Sequence, residues 1–176
     1  LIIRQMRSIG VDSLALTGIV AAFIGSVIAL QTRYQLFPGV QLSVVGLIVR
    51  QSLVLELAPL LTGLVLTGRV GARMTAEIGT MRVTEQIDAL ETLAYDRMAY
   101  LIVPRLIAAT LMLPLLIVFA NAIGIAGGYI VSVILFGANP VTYLENTFQY
   151  MDMEDLTSGL IKAAVFGMLV AAVGCM

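Results

Sequence analysis

Residues 104–137 read PRLIAATLMLPLLIVFANAIGIAGGYIVSVILFG, a stretch of 34 residues whose one charge is Arg105. At ~1.5 Å per residue such a helix is about 51 Å long, against a hydrocarbon core of about 30 Å. The stretch is long enough to cross a membrane and too apolar for a water-facing helix, so it sets the solvent for the whole chain. Two shapes satisfy it. One is a single overlong helix kinked at Pro114 or near Gly124, Gly127 and Gly128; the other is a tight hairpin turning at Asn121. The connection that follows, 138–155, contains no Lys or Arg. That suits the outer side of the membrane and favours the single pass.

Outward from this stretch the same pattern recurs. A run at 156–176 carries one charge, Lys162; a run at 44–68 is interrupted by Arg50, Glu56 and Pro59; and a run at 11–31 places Gly18, Ala22, Gly25 and Ala29 along one helical face. Small residues on one face let another helix approach closely. The turn between the first two runs centres on Pro38-Gly39, and residues 141–150 suit a short helix on the outer surface. Residues 1–10 are apolar and basic, as an interfacial helix would be, with Arg4 and Arg7 marking the inside.

The expected fold is therefore all-α and polytopic, one transmembrane domain over 1–176. It has four spans, an interfacial helix at the start, an outer segment at 138–155 and a cytoplasmic segment at 69–103. Composition agrees: 60% of the residues are hydrophobic and 12% charged, where a soluble domain carries roughly 25% charged residues. With no histidine and one cysteine, Cys175, a disulfide framework, the usual zinc sites and Cys/His nucleophile pairs are excluded. A net charge of −1 gives no reason to expect nucleic acid as a partner. The start at Leu1 and the end at Met176 inside an apolar run read as a fragment of a longer chain.

The anomaly is Arg69 to Arg105. It holds five arginines and five acids, while the other 139 residues share eleven charges. Such a concentration belongs on the cytoplasmic side, where two spans from an inside N-terminus also put it. Arg69, Arg73 and Arg105 then orient the spans. Within it, 84–93 suits a short amphipathic helix with Thr84 as N-cap: Ile87, Leu90 and Ala94 share one face, and Glu85, Asp88, Glu91 and Thr92 lie away from them. Membrane-surface helices carry Lys or Arg on the polar face rather than acids, so a protein partner fits better.

The residues Glu77-Ile-Gly-Thr-Met-Arg-Val-Thr-Glu-Gln-Ile-Asp-Ala-Leu-Glu91, preceded by Ala58-Pro59 and Gly68-Arg69-Val-Gly-Ala72, closely resemble the MlaE (YrbE-type) permease family. Val103-Pro104-Arg105 and Gly127-Gly128 match too. The resemblance implies an integral subunit of a bacterial ABC transporter that moves phospholipids or related lipids between membranes. It further implies a homodimer, two cytoplasmic ATPase subunits that bind the ATP and magnesium, an MCE-domain partner in the periplasm, and five spans in the complete protein. On this resemblance Glu77, Thr84, Glu85, Gln86, Ile87, Asp88, Leu90 and Glu91 match the coupling helix, which seats in the ATPase. The chain departs at Arg97, where family members carry proline after the aspartate, leaving the end of the coupling element open.

Glu56 and Lys162 are the candidates for a lipid cavity, with Pro59 bending the span beside them. A charge at a span's centre costs about 2.5–3.5 kcal/mol on insertion scales, so each needs a cavity or a partner. A structural Glu56–Lys162 pair would explain the same residues, and Arg50 reads as an anchor at headgroup level. No G-x-x-x-x-G-K-[ST] motif is present, so the chain binds no cofactor of its own and ATP hydrolysis falls to a partner. The competing class is a secondary transporter or channel subunit using Glu56 and Lys162. It has no use for an acidic amphipathic helix on the cytoplasmic side, and no internal repeat supports it. A membrane-embedded enzyme lacks both histidine and clustered carboxylates.

Overall fold

The computed structural model describes residues 2–37, 40–42, 44–93, 98–149 and 153–175, and every regular element among them is helical. The turn at Pro38-Gly39, the apolar position Ala94, the boundary at Asp96 and Arg97, and Met151 lie outside the described residues, as does the side chain of Glu91. Four helical runs are long and apolar enough to cross a membrane: Ile2–Gln35, Val44–Val83, Met98–Ile134 and Met153–Gly174. Helices are one of two ways to pair every backbone N–H and C=O in hydrocarbon, and the described spans take it.

The opening question is answered by α7 (Val103–Ile134), a single 32-residue helix. Pro114 sits inside it without ending it, and Asn121 is buried within the helix instead of turning the chain. A water-facing hairpin tip has no place there, because both neighbours of Asn121 continue the helical ladder. Along its outer side Ile107, Leu111, Leu115 and Val118 are all exposed. An apolar stripe on the outside as well as the inside is the mark of a helix solvated by lipid.

Around α7 stand α1 (Ile2–Ile9), α2 (Leu14–Gln35) and α9 (Met153–Gly174), of which α2 makes the most extensive contact. Small residues are the reason. A Cβ added to Gly25 would run into the Gly124 carbonyl, and one added to Gly127 would lie 2.5 Å from the Ala22 carbonyl. The small-residue face of the first span thus has its partner within the chain. At one end α1 folds back on α7 through Ile9, which joins a buried cluster with Leu66, Met74, Leu113 and Ala171.

The second run changes pitch twice. It comprises α3 (Val44–Ser52), a π-helical turn at Leu53–Leu57, α4 (Ala58–Leu66), a second π turn at Thr67–Gly71 and α5 (Ala72–Val83). At 40 residues it is about 60 Å long, twice the hydrocarbon thickness. The charge-rich segment therefore does not start as a loop after residue 68: it starts as a helical arm, α5, that carries the span out of the membrane. The Thr75 hydroxyl holds this arm to the end of α9 by donating to the Gly174 carbonyl at 2.9 Å. A short helix, α6 (Gln86–Thr92), follows the arm, and a third π turn, Met98–Ile102, leads into α7.

At the opposite end α8 (Pro140–Gln149) lies across α3. Tyr143 is fully buried there, edge-on to Tyr129 at 5.5 Å between ring centroids, and the Thr147 hydroxyl donates to the Tyr143 carbonyl at 2.7 Å. Burial pushes the Tyr143 phenol up to about 12, the Ser132 hydroxyl opposing the shift. The phenol stays neutral through the physiological range, so this corner adds no pH dependence.

Candidate functional site

Pro59 explains the mid-span geometry. It has no N–H to give the Leu55 carbonyl four residues earlier, and its ring crowds that carbonyl. The helix answers by widening just before it into the π turn Leu53–Leu57, where the Ala58 N–H reaches back to the Leu53 carbonyl. The Leu55 carbonyl is left free, and the Lys162 ammonium of α9 donates to it at 2.8 Å. Pro59, Leu55 and Lys162 are thus one structural unit, and the Glu56–Lys162 ion pair does not form.

That unit brings Lys162 to the height of Glu56, the residue that follows Leu55. Glu56, next to the capped carbonyl, is exposed and has no hydrogen bond or ion pair among the described residues. Lys162 is exposed too. On the side of Glu56 toward residue 68 the exposed face continues through apolar Leu60 and Leu64. A carboxylate on such a face cannot sit against acyl chains at low cost, so this surface meets water, polar lipid parts or another protein surface.

Arg50 is not a headgroup anchor. It is buried, 4% exposed, with its guanidinium 3.9 Å from the Asp155 carboxylate at the start of α9 and its Nε unpartnered. The outer end of the span is roofed by α8 and α9, which close over the arginine before it can reach the surface.

On the arm the arginines and acids form a chain of contacts. The Arg73 guanidinium lies 3.0 Å from Glu77 one turn on and 3.8 Å from Asp12 at the foot of α2. Glu77 also accepts from Arg105 at 3.3 Å, and Arg105 donates to the Leu101 carbonyl at 3.2 Å. Sequence spacing exposes the Arg73–Glu77 pair. Nothing in the sequence gives the 28-residue reach to Arg105. Glu77 therefore braces the arm against α7 and α2, and its place among the docking residues is turned inward. Arg69 is exposed in the second π turn.

Thr84 does not cap α6. Its hydroxyl turns back and donates to the Thr80 carbonyl at 2.8 Å, finishing α5. Glu85 makes the corner instead, with φ +56, and its carbonyl accepts the first bond of α6 from the Ala89 N–H at 3.0 Å. Two helices meeting at a sharp bend need one residue in the left-handed region, and glutamate pays about 1–3 kcal/mol to hold it. From the corner on Glu85, Gln86 and Asp88 are exposed, while Ile87 and Leu90 are half-buried, and α6 packs against α5. The acidic face of α6 is the free one. Among the described residues no cluster of three or more acids, histidines and cysteines is arranged to hold a metal.

Residues 2–176 match the family described as Permease MlaE. A probable ABC transporter permease protein of Rickettsia bellii is 46% identical over 99% of this chain and 68% of its own length. One from Synechocystis is 41% identical over 98% of this chain and 66% of its own length. The intermembrane phospholipid transport system permease protein MlaE of Haemophilus influenzae is 36% identical over 97% and 66%.

Proposed function

This chain belongs to the MlaE permease family of ABC transporters, and on that premise we propose that it forms the lipid pathway of a transporter moving phospholipids between the inner and outer bacterial membranes. The observation that carries the reading is the two mid-span charges Glu56 and Lys162, both exposed and not paired with each other, with apolar Leu60 and Leu64 exposed on the same helix as Glu56. Two copies facing each other across these surfaces enclose a cavity that is polar at mid-span and apolar along Leu60 and Leu64. A phospholipid presents the same distribution, a charged headgroup with acyl chains. The relative from Haemophilus carries phospholipid transport in its name.

In the same reading the arm α5 and helix α6 are the coupling element. Thr84, Glu85, Gln86, Ile87, Asp88, Leu90 and Glu91 form or support the contact with the ABC ATPase, which binds ATP and magnesium. An MCE-domain protein receives or supplies lipid on the periplasmic side. The brace Asp12–Arg73–Glu77–Arg105 gives the push a route, since any tilt of the arm pulls on the feet of α2 and α7 together.

The cavity is tested by Glu56→Gln and Lys162→Met in the full-length protein, read by photo-crosslinking of phospholipid and by transport. Glu56→Gln removes charge from an exposed group with no partner, so folding is expected to stay within about 0.5 kcal/mol of wild type while transport drops. Lys162→Met also strips the donor from the Leu55 carbonyl, and its expected cost in stability is about 1–3 kcal/mol. Wild-type crosslinking and transport in both variants would remove these residues from the mechanism.

A further inference from the structure

α3 exposes one residue, Gln51. Its neighbour Arg50 turns inward to Asp155, and Val45, Gly46 and Val49 are buried. The Gln51 amide makes no hydrogen bond among the described residues. An amide left without a partner in an apolar setting is costly.

The π turn decides which way this amide points. Nine residues separate Gln51 from Leu60, and at ~3.6 residues per turn that spacing sets two side chains on opposite sides of an α-helix. The π turn Leu53–Leu57 lies between them and takes up one residue more than an α turn. The spacing then behaves as eight, and both residues come to one side. Exposure follows this count: Gln51, Glu56, Leu60 and Leu64 are exposed, while Val54, Ala58 and Thr62 are buried. Pro59, by widening the helix before it, thus brings Gln51 into line with Glu56.

Depth divides the strip. Counted from Arg69, where charge resumes on the way to the arm, Glu56 stands about 20 Å and Gln51 about 27 Å along a helix rising ~1.5 Å per residue, against a hydrocarbon core of about 30 Å. From mid-span outward the strip therefore offers a carboxylate and then an amide. From mid-span inward every exposed or half-buried residue between Leu57 and Leu66 is apolar, with Leu60 52% and Leu64 66% exposed.

We infer that Gln51 is a headgroup-binding residue of the pathway. The lipid headgroup lies between Glu56 and Gln51, its phosphate or ester oxygens accepting from the Gln51 amide, and the acyl chains run inward along Leu60 and Leu64. The inference rests on the lipid-pathway reading and adds an orientation to it. A headgroup at mid-span finds its next hydrogen-bonding group on the outer side and only apolar side chains on the inner one.

The test uses the full-length permease with its ATPase in nanodiscs, supplied with phosphatidylglycerol carrying a diazirine either on the headgroup or at the end of an acyl chain. Labelled residues are located by mass spectrometry, with and without vanadate to trap the ATPase, because lipid in the pathway responds to the trap and lipid of the surrounding bilayer does not. The headgroup probe is expected to label 47–56 and the chain-end probe 60–64, both in a vanadate-sensitive way. Gln51 and Leu60 are exposed, so variants at either position keep the packed core. Gln51→Leu is expected to cut headgroup labelling about fivefold, the equivalent of roughly 1 kcal/mol for one lost hydrogen bond. Leu60→Gln is expected to draw headgroup label inward to 60–64. Vanadate-sensitive headgroup label as strong at 60–64 as at 47–56 in the wild type, or unchanged in Gln51→Leu, overturns the inference and leaves the pathway reading standing. Absence of vanadate-sensitive label anywhere in 47–64 overturns the pathway reading, and the inference with it.

Discussion

With Glu85 and Asp88 both changed to lysine, the full-length permease is expected to fold, reach the membrane and lose its ATPase on purification, with transport falling in step. Both side chains are exposed on the free face of the corner and α6, where substitutions usually stay within about 0.5 kcal/mol of neutral. Glu85 already holds a left-handed backbone, and lysine there costs about as much as glutamate. The interface is where the change is felt. A partner surface complementary to two carboxylates meets two ammonium groups instead, and like-charge contacts of that kind cost several kcal/mol, enough for a loss in affinity of about a hundredfold or more. Co-purification of the ATPase against salt concentration measures it. A double variant that keeps its ATPase and wild-type transport would place coupling elsewhere on the arm. A weaker companion effect is expected from Glu77→Gln. It leaves ATPase binding intact and loosens the brace to Arg73 and Arg105, so that ATP turnover and transport separate.

How much of this was written in the sequence depends on the range of the interaction. The four spans are composition and length, and the small-residue face at Gly18, Ala22, Gly25 and Ala29 correctly announces a close helix neighbour, because lack of a side chain is a property of the residue alone. Which helix fills that face needs the fold, and it is α7. The acidic face of α6 is periodicity, and Glu85 and Asp88 are exposed on it. Thr84 is different: its hydroxyl serves an N-cap or the last turn of the preceding helix equally well, and only the left-handed corner at Glu85 decides between them. Lys162 was read as a substrate residue or an ion-pair partner. Its carbonyl acceptor at Leu55 exists because Pro59 orphans it, and the two ends of that bond lie 107 residues apart. Arg50 failed as an anchor for a similar reason. Nothing local to 44–68 says that α8 and α9 fold over it and bring Asp155 within 3.9 Å.

The largest effect on the fold itself is expected at Gly25. Replacing it by leucine puts a branched side chain where the Gly124 carbonyl now stands, with the Gly124 Cα 3.0 Å from the new Cβ. Neither obstacle is a flexible side-chain end. Both are backbone of α7, so the two helices must part along the seam and give up the dispersion contacts that hold spans together where no hydrophobic force acts between them. Overpacking in water-soluble cores costs about 1–3 kcal/mol, and a backbone obstacle belongs at or beyond the upper end. Thermal unfolding in detergent and yield of monodisperse protein read the outcome. Gly79 in α5 is the control, since a Cβ there meets nothing within 4 Å. Gly79→Ala is expected to gain about 0.5–1 kcal/mol from helix propensity. If Gly25→Leu were as stable as Gly79→Ala, the seam between α2 and α7 would have to be looser than described, and the rigid body against which the arm pushes would be lost with it.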